Sequence, residues 1–476
     1  MTKKKYITTA IPYINGQPHI GHAMDYLLAD VWARYEKQQN NEVRYCAGTD
    51  EHGAKVEQKA AETGVSPQEF VDGLVPSFQE LIKKLNASNT DFVRTTDVEH
   101  KRRVQEIWQK LDKAGLIYKD TYEGWYCVGC EGYVTETEAK EANYTCKDHQ
   151  KSLEKLSEDN YYLKVSKYTD EIRDFIKKAV VPEFRGRELL ELIKDGAKDV
   201  SISRPKDKLS WGISVPNDDT QTMYVWIDAL SNYITALDYP DNGWSADFWP
   251  ADVQVIGKDI LRFHAIIWPA MLLGLGLELP KNLLVHGHVL TGGTKMSKSL
   301  GNVVDPLAII DKYGAEAFRY YFARHIPTFD DGDFTVDKFE AAYNGELAND
   351  LGNLVSRTAN MVKRFVGGST TVSENFSWDK SEFEKHMSNF RFDLALENAW
   401  RLTHHLNQYI DEKKPWELNK AKSNELSEVM SYLVAGLIEL SKLLVPFLPD
   451  TSAKIKEIFG GDMVSDTPIL FPRIEK

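Results

Sequence analysis

Lys5-Tyr6-Ile7-Thr8-Thr9-Ala10-Ile11-Pro12-Tyr13 runs into Asn15-Gly16-Gln17-Pro18 and then into His19-Ile20-Gly21-His22. The first run is β-branched and aromatic, which predicts a strand. Gly16 and Pro18 punctuate the pattern and predict a turn. From about His19 to Asn40 the apolar positions Ala23, Leu27, Ala29, Val31 and Tyr35 predict a helix. Strand, tight turn and helix in that order open an α/β fold with a parallel sheet. His19 and His22 stand three apart in the first helical turn, so their rings share a face. Unpaired backbone N–H groups and the positive end of the helix dipole point the same way, which makes a seat for a polyphosphate. Two such histidines alone are more often cap or surface residues. A second motif shifts the balance.

That motif is Gly292-Gly293-Thr294-Lys295-Met296-Ser297-Lys298-Ser299-Leu300-Gly301-Asn302. Paired glycines and short polar residues predict a loop, and Val303-Val304-Asp305-Pro306 opens a further helix. Lys295 and Lys298 are placed to neutralise charge growing on a pyrophosphate leaving group. Flanking glycines let such a loop close over ATP and reopen. A lysine pair in a polar loop is ordinarily solvated charge; the upstream histidine pair makes the catalytic reading the better one.

The rest of the composition fits a large globular enzyme. A chain of 476 residues with 42% hydrophobic and 27% charged residues predicts two to four domains with a sizeable core. The longest apolar stretch, Ile266 to Leu277, falls short of the roughly 20 residues a bilayer demands. Pro12, Asn15 and Gly16 interrupt any signal-peptide core, so a cytoplasmic location and no membrane partner are expected. A net charge of −13 excludes a protein that coats nucleic acid by charge alone, while leaving room for an RNA held by a local patch. Lys101-Arg102-Arg103, Lys413-Lys414 and Lys420 with Lys422 are such spots, each more simply read as a solvated helix face.

Three of the four cysteines fall together: Cys127 and Cys130, then, after fifteen residues, Cys146 and His149. Two close pairs of thiolate and imidazole donors suit one tetrahedral structural Zn2+, with no position left open for catalysis. Three cysteines cannot all pair, and disulfides are rare in the cytoplasm. Cys46 stands alone in an apparent strand and reads as a small core residue.

The organisation follows. Alternating strand and helix patterns up to residue 116 read as the first half of a parallel sheet, with Asn41 to Asp50 as its second strand. Ligands of such sheets sit at the carboxyl ends of strands, where Asp50 falls. Residues 117–221 are charged and aromatic, carry the cysteines, and read as an inserted domain. The α/β pattern returns over 222–338: Thr222 to Leu230 and Val253 to Ile260 are taken as strands, and Asn282 to His288 as a third. Residues 339–476 read as an all-α bundle. Val429, Leu433, Leu437, Leu440 and Leu444 mark one apolar face there. Pro446 and Pro449 break that helix, Asp450 or Thr451 caps the next, and Gly460-Gly461 ends it.

The two motifs resemble the HIGH and KMSKS signatures of class I aminoacyl-tRNA synthetases. With Gly48-Thr49-Asp50-Glu51-His52-Gly53, the Cys/His cluster, Tyr224-Val225-Trp226-Ile227-Asp228-Ala229 and Gly257-Lys258-Asp259 in order, the chain resembles the methionyl-tRNA synthetase family over nearly its whole length. Relatives for other aliphatic amino acids carry a large editing insertion between the motifs. Here Lys295 follows His22 by 273 positions (295 − 22), too few for that insertion plus the core. Cysteinyl enzymes disperse their zinc ligands differently.

The resemblance implies a Rossmann-like catalytic core, an inserted zinc-bearing domain and a helix-bundle anticodon-binding domain. It implies AMP-forming ligation of L-methionine to tRNA(Met), the initiator tRNA included, with ATP and Mg2+. It places Gly21, Gly257, Asp259 and Ser297 at ATP beside His19, His22, Lys295 and Lys298, with Asp259 on the ribose hydroxyls. It places Ile11, Tyr13, Trp226, Ala229, Leu230, Tyr233, Phe263 and His264 around the methionine side chain, and Asp50 on the α-ammonium group. Tyr233 and His264 are expected to offer weak hydrogen bonds to sulfur. Asn353 and Arg357, four apart on a helix, and Trp416 are expected at the anticodon. Many relatives carry a further C-terminal domain that dimerises, and the sequence stops about where its linker would begin, so a monomer is expected. Two other classes fit less well: a small-molecule nucleotidyltransferase, against which the helical end and the cysteine insertion argue, and a non-catalytic tRNA-binding relative, against which both histidines and both lysines argue.

Overall fold

The computed structural model describes residues 2–129, 132–146, 150–296 and 303–475; of Lys295 it describes the backbone alone. The chain divides into two compact units, one made of residues 1–18, 41–82 and 89–286, the other of residues 19–40, 83–88 and 287–476.

The first unit is organised by a six-stranded parallel sheet. Its strands, from one edge to the other, are Asp91–Arg94, Glu42–Thr49, Lys4–Thr9, Val253–Gly257, Leu283–His286 and Val180–Val181. The register sets Ile7 opposite Tyr45 on one side and Val253 on the other. Val253–Gly257 and Leu283–His286 are buried at every position, as strands covered on both faces must be, and apart from Gln254 and His286 they are apolar throughout. Cys46 is fully buried in the second strand, a core residue as its isolation in the sequence predicts. Trp268, Met271, Ile227, Leu283 and Val285 belong to the main apolar core of this unit.

Residues 117–221 build a separate antiparallel sheet in which Ile117–Cys127 pairs with Glu154–Leu163 from Ile117 opposite Leu163 to Tyr126 opposite Glu154. The same stretch also supplies Val180–Val181 to the edge of the parallel sheet.

One expected strand is a helix. Over Thr222 to Leu230 the chain leaves a strand at Met223 and forms the helix Val225–Thr235. All of its residues except Trp226 are buried, so it has no polar face, and a short apolar run without periodicity does not separate strand from helix.

The second unit is mainly helical. Helix Ile20–Gln38 belongs to it, as do Ala315–Arg324, Asn353–Phe365, Phe392–Lys413, Glu425–Leu444 and Pro449–Phe459. Its centre holds an ion pair that hydropathy does not reveal: Asp30 and Arg319, both fully buried, meet at 2.7 Å. Arg319 also donates to the carbonyls of Phe447 (2.7 Å), Pro446 (2.9 Å) and Leu85 (3.1 Å), and Asp30 accepts from Arg34 and the Ser88 N–H, both at 2.6 Å. Burial alone would push the Asp30 carboxyl up; Arg319, then Arg34, hold it below the usual carboxylate range.

The break between the last two helices falls where the prolines predict, but the cap differs. Leu448 is the N-cap and Pro449 occupies the first turn. The Thr451 N–H donates instead to Glu316 (2.8 Å) on helix Ala315–Arg324, so a neighbouring helix supplies the acceptor that the side chain of Asp450 or Thr451 was expected to provide. Among the described residues, no helix is long and apolar enough to cross a membrane.

Candidate active site

Tyr13 and Asp50, two of the residues expected around methionine, lie just beyond the carboxyl ends of neighbouring parallel strands. Beyond strand Lys4–Thr9, Tyr13 forms a parallel bridge with Asp50, which follows strand Glu42–Thr49; the Ile14 N–H donates to the Asp50 carbonyl (3.0 Å) and the Asp50 N–H to that of Pro12 (2.8 Å). The Tyr13 hydroxyl accepts from the Lys55 N–H (3.1 Å), which fixes the ring. Ile11 lies on the same segment, half-buried. Gly257 ends strand Val253–Gly257, and Asp259 follows it, exposed, in a short 3₁₀ turn.

Helix Val225–Thr235 carries Trp226, Ala229, Leu230 and Tyr233. A π-helical turn, Phe263–Ile267, carries Phe263 and His264; such wide turns insert one residue into a helix and recur at functional sites. Trp226 and Phe263 stack face to face, centroids 3.8 Å apart and planes 7° from parallel. The Arg262 guanidinium also stacks on Phe263.

His264 is fully buried, and burial pulls its pKa down to about 4, against a smaller opposing effect of the Ile260 carbonyl. Its ring is therefore neutral at pH 7. Nδ1 faces the Ile260 carbonyl at 3.0 Å and so carries the proton, which leaves Nε2 to accept from the Tyr233 hydroxyl at 2.7 Å. Both donors expected to reach sulfur are thus spent inside the protein. What Tyr233 offers a thioether is its ring and its oxygen lone pairs.

In the second unit, His19 is the N-cap of helix Ile20–Gln38, one position earlier than a first-turn residue. Its Nδ1 accepts from the Gly21 N–H (3.1 Å), while the His19 N–H donates to His22 Nδ1 (3.2 Å), a capping box built from imidazoles. The rings stack with centroids 3.7 Å apart. Since both Nδ1 atoms accept, each neutral ring carries its proton on Nε2, a donor suited to a phosphate oxygen. Gly21 is required: a Cβ there would lie 2.9 Å from the His19 ring. The Ile20 N–H donates to the Val304 carbonyl, which brings the residues just after the lysine motif to the start of this helix.

That motif begins in a hairpin, not an open loop. Val289–Thr291 pairs with Thr294–Lys295 through Gly292 and Gly293, both with positive φ (59° and 74°), as the tight turn matching strand twist demands. Ser297, Lys298 and the residues to Asn302 lie outside the described residues.

Cys127 closes strand Ile117–Cys127, and the Cys146 carbonyl accepts from the Gln150 N–H. Both are buried in one small cluster with Ala139 and Leu153. Cys130 and His149 lie outside the described residues. Asn353 is exposed at the start of helix Asn353–Phe365, where it follows a second π-helical segment, Tyr343–Gly352. Arg357, one turn on, approaches Asp411 at 3.5 Å. Trp416 stands 43% exposed on the short helix Pro415–Lys420, which packs against helix Asn353–Phe365.

Sequence reading missed the joint beneath this site. The Asp228 carboxylate, fully buried, binds His52 Nδ1 at 2.6 Å and His100 Nε2 at 2.8 Å. Trp211 donates its indole N–H to the Glu51 carbonyl at 2.6 Å and lies 5.2 Å from the His52 ring. His52 and Asp228 stand inside motifs quoted above, beside Asp50 and Ala229, which are buried as well; what sets them apart is their hydrogen bonding to one another, which no sequence pattern shows.

The parallel α/β sheet, the stacked aromatic rings and the helix capped by His19 agree with a class I aminoacyl-tRNA synthetase. The family model described as "tRNA synthetases class I (M)" matches residues 5–359. The methionine–tRNA ligase of Listeria innocua is 43% identical over 94% of this chain and 72% of its own length. That of Caldanaerobacter subterraneus is 40% identical over 100% of this chain and 80% of its own. A solved Mycobacterium tuberculosis methionyl-tRNA synthetase in complex with methionyl-adenylate superposes with a TM-score of 0.92 at 33% identity, covering 99% of this chain and all of that one. The chain belongs to the methionyl-tRNA synthetase family.

Proposed function

We propose that the aromatic pocket of the first unit selects methionine and that the imidazoles and lysines of the second act on the phosphates of ATP. The reaction is methionine–tRNA ligation. The methionine carboxylate attacks the α-phosphorus of ATP in line and expels pyrophosphate. A ribose hydroxyl of the terminal adenosine of tRNA(Met), the 2′ position, then attacks the methionyl carbonyl and releases AMP. Neither step needs a covalent enzyme nucleophile.

The observation that carries the assignment is the wall formed by Trp226, Phe263, Tyr233 and the neutral His264. It is apolar and polarizable, it withholds its hydrogen-bond donors, and it offers a thioether contacts that favour sulfur. Ile11, Tyr13, Ala229 and Leu230 complete the wall, and the Asp50 carboxylate takes the α-ammonium group. Nε2–H of His19 and of His22, with Lys295 and Lys298, stabilise charge on the phosphates. Gly21 and Ser297 line that site; Gly257 and Asp259 serve the nucleoside. Magnesium bound with ATP supplies counter-charge.

Cys127 and Cys146, buried together in one cluster, fit a structural zinc completed by Cys130 and His149. It takes no part in the chemistry. Asn353, Arg357 and Trp416 read the anticodon of elongator and initiator tRNA, so that 339–476 is the anticodon-binding part, 1–116 and 222–338 the catalytic core, and 117–221 the insertion that carries the zinc. The enzyme acts as a cytoplasmic monomer.

The test is ATP–pyrophosphate exchange with each of the twenty amino acids and no tRNA. Exchange with methionine alone supports the assignment. Exchange with leucine, valine or cysteine overturns the pocket, and no exchange with any amino acid overturns the catalytic reading.

A further inference from the structure

Asp228 sits where three elements of the first unit meet. His52 follows the segment that ends strand Glu42–Thr49, His100 is on helix Val98–Lys113, and Asp228 itself is on helix Val225–Thr235. All three side chains are at most 4% exposed. The carboxylate accepts one N–H from each ring, at 2.6 Å from His52 Nδ1 and 2.8 Å from His100 Nε2. The far nitrogen of His100 reaches the Thr235 hydroxyl at 2.8 Å, one helical stretch beyond Asp228. Burial alone would push the Asp228 carboxyl up, but His52, then His100, hold it below the usual carboxylate range, so it is a carboxylate in the folded protein.

None of these groups belongs to the pocket wall, yet each is a short step along the chain from one that does. His52 is two positions on from Asp50, and Asp228 is two positions on from Trp226. Ala229 follows Asp228 directly. A buried charge held by two hydrogen bonds tolerates little displacement, because a lost partner leaves it desolvated and unpaired. The joint therefore fixes the spacing between the Asp50 carboxylate and the Trp226 side of the helix.

We infer that Asp228, bridging His52 and His100, is a positioning residue that sets the distance between the ammonium-binding carboxylate and the aromatic wall, and so the affinity for methionine. This rests on the pocket assignment above. The geometry of the two rings supplies the conservative controls. His52 uses Nδ1, which the amide nitrogen of Asn imitates, and His100 uses Nε2, which that of Gln imitates.

The experiment is steady-state ATP–pyrophosphate exchange, with methionine and ATP varied separately, on full chains shown by circular dichroism to be folded at the assay temperature. Asp228→Asn and His100→Leu are expected to raise KM for methionine at least tenfold with KM for ATP within twofold of wild type. His52→Asn and His100→Gln are expected to return KM for methionine to within threefold. A methionine KM unmoved in Asp228→Asn and His100→Leu, or moved in parallel with that for ATP, overturns the inference. So does failure of His100→Gln to improve on His100→Leu, which settles the matter even where Asp228→Asn does not fold. Asp50→Ala is run alongside. If it leaves KM for methionine unchanged, the pocket assignment falls and the inference with it. If it raises that KM and Asp228→Asn does not, the inference alone fails.

Discussion

Replacing Arg319 by Met tests whether the buried ion pair holds the helical unit together. The side chain is fully buried and makes four contacts: the Asp30 carboxylate and the carbonyls of Leu85, Pro446 and Phe447. Breaking a buried pair by removing one partner costs ~3–5 kcal/mol. Asp30 would keep Arg34 and the Ser88 N–H, which argues for the lower part of that range, whereas the orphaned carbonyls add to the cost. About 3 kcal/mol is the expected loss. With a urea dependence on the order of 2 kcal/mol per molar, that moves the midpoint of the helical unit down by roughly 1.5 M. Asp30→Leu should cost a similar amount, because it leaves Arg319 charged among carbonyls. The double variant removes both charges, and its loss should fall short of the sum of the singles by about 2 kcal/mol. Urea unfolding followed by far-ultraviolet circular dichroism reads all four proteins. Additivity of the singles within ~0.5 kcal/mol, or an unmoved midpoint in Arg319→Met, would refute the reasoning.

His264 gives a pH dependence with a definite sign. Its pKa in the folded chain is about 4, below the ordinary 6.5, so the unfolded chain binds the proton more readily. The stability this contributes is complete above about pH 6.5 and lost as pH falls toward about 4, ~2 kcal/mol being gone by about pH 4.5. His264→Gln should flatten that part of the stability curve, and equal slopes in the two proteins would contradict the assignment. Lys295→Ala and Lys298→Ala should each slow adenylate formation, with little change in methionine affinity; single-turnover kinetics showing the converse would remove the lysines from the phosphates. Trp416→Ala should weaken tRNA charging by tenfold or more and leave pyrophosphate exchange intact. Unimpaired charging in that variant would dissociate Trp416 from the anticodon. Removing zinc with a chelator should lower the melting temperature, and an unchanged melt at verified metal loss would argue against a structural ion at Cys127 and Cys146.

Much of the fold was legible because its signals are local. The run from Lys5 to His22 reads as strand, turn and helix, and the structure places strand Lys4–Thr9 and helix Ile20–Gln38 there. The glycine pair at 292–293 was legible as part of a loop, though not as the turn of a hairpin, since its pairing strands are only three and two residues long. The helix Val225–Thr235 was illegible because burial on nearly every side erases the 3.6-residue period. The hydrogen bonds of His264 were illegible for another reason. Which nitrogen carries the proton depends on the Ile260 carbonyl, a backbone group that no side-chain pattern encodes. Asp228 and Asp30 look in sequence like any solvated acid on a helix, and only the imidazoles and the guanidinium brought to them from distant segments make them internal.

The wide turn at Phe263–Ile267 bears on how such a pocket can be altered. A π turn is a helix with one residue too many, so it can be undone by subtraction. Deleting one residue within it would restore an ordinary helix and redistribute the side chains of the turn around the axis, moving Phe263 and His264 out of their present places. The stacked wall with Trp226 would come apart without any change in the identity of its side chains. In this pocket, selectivity is written partly in chain length, and an insertion or deletion of one residue is as direct a route to a new substrate as any substitution.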